Sequence, residues 1–142
     1  MPRPSERFLN TLARDFAANR LAAIAENFVY PLPFYAEGGI QVFGSAATLT
    51  EGLALYHDAA AAAGLLVLVP RIVAQGLPVR GYSNVWVEWD HMDAAGVCRR
   101  TSQVRYVFCR PAAALFPRIE LVEYSRAAFP EIPASFAMTA TA

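Results

Sequence analysis

The sequence predicts one α+β domain in which three N-terminal helices pack on one side of a curved, mainly antiparallel sheet. In residues 5–28 and 48–63, apolar residues recur at three- and four-residue spacing, which is typical of helices with one buried face. From residue 65 to residue 126 they alternate instead, as they do in strands. Because 56% of the 142 residues are hydrophobic, the chain can build a single core that encloses an apolar pocket.

Two helices are predicted at the N-terminal end. Ser5 is placed to cap the first helix with its hydroxyl oxygen, and apolar residues follow at helical spacing as far as Phe16. A second, shorter helix is predicted over residues 20–28. Pro31 and Pro33 then prevent further helix, so the chain must become extended.

A hairpin and a third helix are predicted next. Residues 30–35 contain two prolines, which favours an edge strand, and a glycine-containing turn lets residues 40–43 fold back on it. The third helix is predicted from Thr48 or Thr50 to Ala63, because Gly64 is suited to end it. Its buried stripe consists of Leu49, Leu53, Tyr56 and Ala60.

Four strands of an antiparallel meander are predicted in the second half of the chain. The domain is predicted to span residues 1–126, and residues 127–142, with two prolines and small residues at the end, are predicted to be a C-terminal tail that packs on a neighbour or frays. The strands are predicted at residues 65–75, 80–91, 97–110 and 118–126.

A four-residue turn at residues 93–96 predicts which side chains share a face of the sheet. Counting outward from it pairs His91 with Cys98 and Trp89 with Arg100. The face that carries these residues is the more apolar of the two, so it is predicted to line the pocket. Further members of this predicted pocket face are Val85, Val87, Ser102, Val104, Tyr106 and Phe108.

The opposite sheet face mixes large aromatic residues with charges. It carries Tyr82, Trp86 and Arg105. Such a face is either solvated or a wet subunit interface, where aromatic residues and arginine are enriched. We predict a homodimer through it, because a face with two large aromatics is seldom wholly exposed.

Composition excludes several classes of function. Lys plus Arg and Asp plus Glu number 12 each, so no net charge draws the chain to nucleic acid. No apolar run approaches the roughly 20 residues that span a bilayer, and no signal peptide is recognisable, so the protein is predicted to be cytoplasmic, without membrane association. Cys98 and Cys109 lack the spacing of metal ligands and are predicted to be reduced thiols; no metal and no cofactor are predicted.

The order of elements resembles the nuclear transport factor 2-like superfamily, which includes SnoaL-like polyketide cyclases and ketosteroid isomerases. The resemblance covers residues 5–126 and is carried by Tyr56 before Gly64, by residues 105–108 and by residues 118–124. It implies a cone-shaped, cystatin-like fold with a cavity open at one end, often in a homodimer. In enzymes of the superfamily, Asp, His or Tyr side chains that project into the cone act as acid, base or oxyanion donor.

Glu123 is the candidate base, with Tyr106 or Tyr56 as hydrogen-bond donor. Glu123 shares the parity of Ile119 and Leu121, so if these face the cone it becomes a carboxylate among apolar groups, with a raised pKa. The alternative is that the even-numbered residues face inward and Glu123 is solvated. For the tyrosines, core packing is the alternative to ligand binding.

Further candidate ligand contacts lie on the predicted pocket face. His91 is either a pH-responsive proton shuttle or merely exposed beside the turn. Trp89 and Arg100 either clamp a ligand or cover the rim. Ser102 and Phe108 complete the predicted lining.

Three functions remain open from the sequence. The first is a protein that binds a small apolar or aromatic molecule. The second is an isomerase, cyclase or dehydratase that acts on such a molecule by acid–base catalysis. The third is an interaction module whose outer sheet face is the working surface.

Overall fold

The structure is a computed structural model that describes residues 3–110 and 116–132. Within these residues the chain forms three helices and six strands. In chain order they are α1 (Pro4–Ala17), α2 (Leu21–Ala25), β1 (Leu32–Ala36), β2 (Gly39–Phe43), α3 (Ala46–Ala63), β3 (Val67–Gln75), β4 (Tyr82–Met92), β5 (Cys98–Cys109) and β6 (Arg118–Arg126).

The strands form one sheet in the order β2-β1-β6-β5-β4-β3. All neighbours are antiparallel except β1 and β6, which run parallel. Apolar side chains of the helices, such as Leu9 and Phe16, belong to the same buried cluster as Val85 and Val104 of the sheet. The predicted α+β class and the meander are therefore confirmed.

The predicted helices are present, with different first residues. Arg3 occupies the cap position of α1 and Pro4 begins the helix, so the prediction that Ser5 caps it is wrong. The Ser5 hydroxyl donates instead to the side chain of Gln75, at 3.1 Å. Helix α3 begins earlier than predicted because Ser45 caps it, and it ends as predicted at Gly64, whose φ is 71°.

The first hairpin is not arranged as predicted, because β2 and not β1 is the edge strand. The ladder between β1 and β6 uses only Phe34 and Tyr35. Both residues follow Pro33, so the proline's missing N–H interrupts no bond of that short ladder. This is why a strand with proline can lie inside the sheet.

The hairpin of β4 and β5 keeps the predicted faces from Arg100 onward but not the predicted pairs, and Cys98, predicted on the pocket face, is exposed. Trp89 is predicted opposite Arg100, but it lies opposite Ser102. One extra residue lies in the turn, where Asp93 donates its backbone N–H to the carbonyl of Val97 at 2.9 Å. The second is Arg99 of β5, which the ladder skips opposite the end of β4. Together they shift the register by a full strand period, so inward and outward sides are unchanged.

An irregularity in β6 reverses the orientation predicted for Glu123. The pairing with β5 skips Glu120. Ile119 before it is buried, and beyond it the buried residue is Val122. Because the extra residue changes parity, Glu123 does not face the same side as Ile119, and that prediction is wrong.

The first residues after β6 belong to the packed domain. Ala128, Phe129 and Ile132 are buried in the same core as the sheet and helices. The predicted boundary at residue 126 is therefore not where packing ends. The remainder of the predicted tail, residues 133–142, lies outside the described residues.

The opposite, outer face of the sheet is exposed in the single chain. Tyr82 and Trp86 retain 49% and 42% of their accessible surface. Charges on this face pair within the chain: Arg105 contacts Glu123 at 2.9 Å, and Arg71 contacts Asp90 at 2.6 Å. In the described part of the chain, no helix is long and apolar enough to cross a membrane.

Candidate functional site

An apolar cavity of about 90 Å³ lies between the helices and the inner face of the sheet. Its wall consists of aliphatic and aromatic side chains contributed by all three helices, the strands and the connections between them. The aliphatic ones are Leu12, Ile24, Leu32, Leu49, Leu53, Leu68 and Val122. The aromatic ones are Phe16, Phe28, Phe34, Tyr56, Trp89, Tyr106 and Tyr124.

The wall carries four side chains with polar atoms: Tyr56, Trp89, Tyr106 and Tyr124. The indole N–H of Trp89 donates to the hydroxyl oxygen of Tyr106 at 2.8 Å, and both residues are buried. This bond links neighbouring strands β4 and β5 on their inner face. Tyr124 stacks on Phe34, with ring centroids 5.1 Å apart.

The hydroxyl of Tyr56, on α3, is connected to a polar network behind the wall. It lies 2.8 Å from Nε2 of His91, a fully buried residue of β4. Ser102 Oγ is 3.4 Å from the same nitrogen. Helix and sheet are thus joined by a buried polar contact as well as by apolar packing.

Burial sets the protonation of these groups. It raises the pKa of Tyr56 and of Tyr106 well above the usual phenol value, and raises the pKa of Tyr124 to about 12. Burial, aided by the positive charge of Arg100, lowers the pKa of His91 from 6.5 to about 4. At neutral pH the network therefore consists of neutral phenols and a neutral imidazole.

Residues after β6 close this network. The backbone N–H of Ala128 donates to Ser102 Oγ at 2.9 Å, and the Ala128 carbonyl accepts from Nη1 of Arg100 at 3.1 Å. The Arg100 guanidinium lies 4.5 Å from the ring centroid of Phe129. Phe129 in turn packs edge-on against Tyr56, with centroids 5.5 Å apart.

Three of the predicted site residues, Tyr56, Trp89 and Tyr106, line the cavity. His91 and Ser102 lie one layer behind it, so the alternative in which His91 is exposed is wrong.

Two other predicted residues lie away from the wall. Arg100 is opposite His91 and contacts Phe129, so it does not clamp a ligand together with Trp89; the two-residue shift in register is the reason. Phe108 packs against Phe8, with centroids 5.2 Å apart, in the core beside the cavity.

Glu123, the predicted base, is on the outer face. Its carboxylate accepts from Nε of Arg105 at 2.9 Å, and its side chain is 45% exposed. Among the described residues, no acidic side chain lines the cavity. The arrangement therefore offers hydrogen bonds from neutral groups and no carboxylate for proton abstraction.

Two residues of the site were not assigned to it from the sequence. Tyr124 takes the inward position that the parity argument gave to Glu123, and the sequence signal for it is that the apolar Val122 shares its parity. Phe129 falls in the predicted tail, and an aromatic residue in a proline-containing segment is too weak a signal to place it. In the described residues, no group of three His, Cys, Asp or Glu side chains is arranged to hold a metal ion.

No protein-family model matches the sequence, and no curated protein sequence matches it. Solved structures do share its architecture. Aln2 from a Streptomyces species has a TM-score of 0.62 at 16% identity, over 89% of this chain and 94% of Aln2. An NTF-2-like protein of unknown function from Shewanella oneidensis has a TM-score of 0.61 at 14% identity, over 83% and 93%. This chain has the nuclear transport factor 2-like fold.

A third structure, from Catenulispora acidiphila in complex with S-DNPA, has a TM-score of 0.61 at 10% identity, over 85% of this chain and 90% of that one. The predicted resemblance is thus confirmed as a fold. A fold does not determine function, so the function has to be argued from the cavity of this chain.

Proposed function

We propose that this protein binds a small, uncharged, mainly apolar molecule in the cavity of its cone. The observation that carries the proposal is the composition of the wall: aliphatic and aromatic groups surround three phenols and one indole, and no charged side chain of the described residues takes part. Ligand sites are typically apolar, with a few polar groups that orient the ligand. The Catenulispora structure of the same fold, in complex with S-DNPA, supports this proposal.

The size of the cavity limits the ligand. A volume of about 90 Å³ is several times what one water needs, but smaller than the engineered cavities of about 150 Å³ that bind benzene. A five-membered ring is therefore a reasonable first ligand. A larger molecule requires wall residues to move, and Tyr124 is suited to this because it lines both the cavity and two surface depressions beside β1 and β6.

Tryptophan fluorescence tests the proposal directly. The chain has two tryptophans, of which Trp89 lines the cavity and Trp86 is exposed. In a Trp86→Phe variant, Trp89 alone reports on the cavity. Titration with methylenecyclopentane should shift its emission saturably, and adding Leu49→Phe, which fills the cavity, should abolish the shift. An unchanged emission, together with unchanged methyl NMR signals of the wall leucines, would contradict the proposal.

The acid–base enzyme predicted from the sequence is not retained. It required Glu123 inside the cone, and that carboxylate is bound to Arg105 on the outer face. The residues that remain in the wall can polarise an acceptor atom, but they include no group that is a base at neutral pH.

A homodimer through the outer face is a second, separate proposal. It is supported by the exposure of Trp86 and Tyr82 and by charges of both signs on that face, which let two copies meet without net repulsion. Such a dimer leaves the cavity on the other side of the sheet accessible. The predicted cytoplasmic location also stays a prediction.

A further inference from the structure

We propose that Trp89 and His91 fix the directions of two phenol protons, so that the cavity selects uncharged ligands that accept hydrogen bonds over ligands that donate them. This inference rests on the proposed binding function and names the class of ligand. It makes Trp89 and His91 positioning residues, because they act on the ligand through Tyr106 and Tyr56.

The direction of the Tyr106 hydroxyl proton follows from the chemistry of its hydrogen-bond partner, Trp89. An indole N–H only donates, so the contact of 2.8 Å from Trp89 must end on the hydroxyl oxygen of Tyr106. The phenol keeps its own proton for another acceptor. In the described part of the chain, no acceptor is bonded to that hydroxyl, and Tyr106 forms part of the cavity wall. Its proton is therefore available to a ligand.

The direction of the Tyr56 hydroxyl proton depends on which nitrogen of His91 carries the imidazole proton. Nδ1 is buried and has no hydrogen-bond partner among the described residues, whereas Nε2 lies 2.8 Å from the Tyr56 hydroxyl. A proton on Nδ1 would leave a buried donor unpaired, and orphaned buried N–H groups are rare. We therefore place the proton on Nε2, where it is donated to Tyr56.

Ser102 is consistent with the same assignment. Its oxygen accepts the backbone N–H of Ala128 at 2.9 Å and lies 3.4 Å from Nε2 of His91, so it needs no acceptor lone pair on that nitrogen. With His91 donating to it, the oxygen of Tyr56 serves as an acceptor on that side. The Tyr56 proton is left for the cavity, as it is at Tyr106.

The ligand class follows from this pattern of donors. The hydroxyls of Tyr56 and Tyr106 direct their protons to the cavity, because their oxygens already accept hydrogen bonds. Tyr124 has no hydrogen bond to the described residues, so its hydroxyl can turn to either role. A ligand N–H or O–H would find no free acceptor at these two donors and could pair only with Tyr124, which is less favourable in an apolar site. A charged ligand would meet no opposite charge in the wall. The favoured ligand is thus neutral, with a carbonyl or ether oxygen.

Three five-membered rings of similar size test the selectivity by calorimetry or NMR titration. Cyclopentanone offers an acceptor, methylenecyclopentane has the same shape without one, and the nitrogen of pyrrole only donates. For the unmodified protein, we expect the Kd of cyclopentanone to be about tenfold lower than that of methylenecyclopentane, and pyrrole to bind more weakly than both.

Variants separate positioning from simple packing. Trp89→Phe keeps an aromatic ring but frees the Tyr106 oxygen to accept, so pyrrole should gain and the preference for cyclopentanone over pyrrole should fall about tenfold. Tyr106→Phe should weaken cyclopentanone alone. The matched control is Tyr30→Phe, because the Tyr30 hydroxyl donates to the carbonyl of Ala25 at 2.7 Å, away from the cavity wall. Its preference should equal that of the unmodified protein.

The possible failures are distinguishable. If methylenecyclopentane binds but cyclopentanone gains nothing over it, or if Trp89→Phe keeps the original preference, the selectivity inference is overturned and the binding function stands. If none of the three rings binds, the binding function itself fails and this inference fails with it.

Discussion

At the scale of single residues, the buried polar side chains behind the cavity wall each form at least one hydrogen bond, although Nδ1 of His91 has no partner among the described residues. His91 and Ser102 are the two polar residues whose burial is essentially complete in the described chain. His91 contacts the hydroxyl of Tyr56, and Ser102 accepts a hydrogen bond from Ala128 in the segment after β6. Buried polar groups are tolerated when they are hydrogen-bonded, so these residues are expected to be sensitive to substitution and to pH.

His91 should make stability depend on pH. Its pKa is about 4 in the folded chain and 6.5 when unperturbed, so the unfolded state binds the proton more readily. Stability is therefore complete above pH 6.5 and is lost progressively as the pH falls toward 4, by about 3 kcal/mol in total. Urea unfolding over that range checks it. A His91→Phe variant should lack this loss, whereas an equal loss in the variant would contradict the assignment.

Ser102→Ala should destabilise the fold through the segment after β6. The substitution leaves the buried N–H of Ala128 without an acceptor, which costs about 1–3 kcal/mol. Urea unfolding measures the loss, and hydrogen exchange at Ala128 should speed up. Ser125→Ala is the control, because its exposed hydroxyl bonds only a carbonyl of the neighbouring strand, and it should change stability by less than about 0.5 kcal/mol. Equal effects of the two substitutions would refute the role of Ser102.

At the scale of elements, single-residue irregularities in the strands decide which side chains meet. In the β4–β5 hairpin, one extra residue in the turn and one skipped residue in β5 together shift the pairing by two residues, so Trp89 still points inward. One in β6 does not cancel, so Val122 and Tyr124 face the helices and Glu123 does not. The chemistry available in the cavity thus depends on one skipped residue, Glu120.

Glu123→Gln tests the orientation of β6. Because the carboxylate forms a partly exposed ion pair with Arg105, its loss should cost no more than about 1 kcal/mol and leave binding of methylenecyclopentane unchanged. Val122→Ala, one position earlier and buried, should cost about 2 kcal/mol and change binding, because it enlarges the cavity. Urea unfolding and the fluorescence titration measure both variants. The reverse order of effects would place Glu123 inside.

At the scale of the whole molecule, the helices and the sheet enclose the cavity, and the segment after β6 packs behind its wall. Phe129 contacts Tyr56 of α3 and His91 of β4, so one side chain from beyond the predicted domain end joins two elements that are distant in sequence. The outer face takes no part in this enclosure and keeps exposed aromatic residues. The cavity and the exposed aromatic residues thus lie on opposite faces of one sheet.

The exposed outer face should form the dimer interface. Trp86→Ala should shift the mass measured by light scattering toward the monomer, because aromatic residues near the centre of an interface carry much of the binding energy. Leu77→Ala is a matched control: Leu77 is 88% exposed but lies in the connection between β3 and β4. A monomer at every concentration, or a dimer that Trp86→Ala leaves intact, would contradict the proposal.

Much of the architecture was predictable because it rests on local patterns. The stripe through Leu49 and Tyr56 predicted the buried face of α3, and Gly64 predicted its end. Alternation in β4 and β5 predicted that Trp89 and Tyr106 share the inner face of the sheet, and both residues line the cavity. These inferences hold because helix and strand periodicity is a property of neighbouring residues.

The partners of these residues were not predictable in the same way. The contact between Tyr56 and His91 joins residues 35 positions apart, and no local pattern specifies it. Likewise, the ladder between β1 and β6 places Phe34 beside Val122 and leaves β2 as the edge, against the local signal of Pro33. Such pairings depend on how whole elements pack and on which backbone groups remain to be satisfied.

The amino-acid sequence by itself determined the α+β class, the two sheet faces and an apolar pocket, because short-range periodicity and turn chemistry specify which side of each element is buried. Only the tertiary structure decided that the wall presents phenols and an indole without a carboxylate, because the residue skipped in β6 is settled by the pairing of β6 with β5, which is a contact between separate segments.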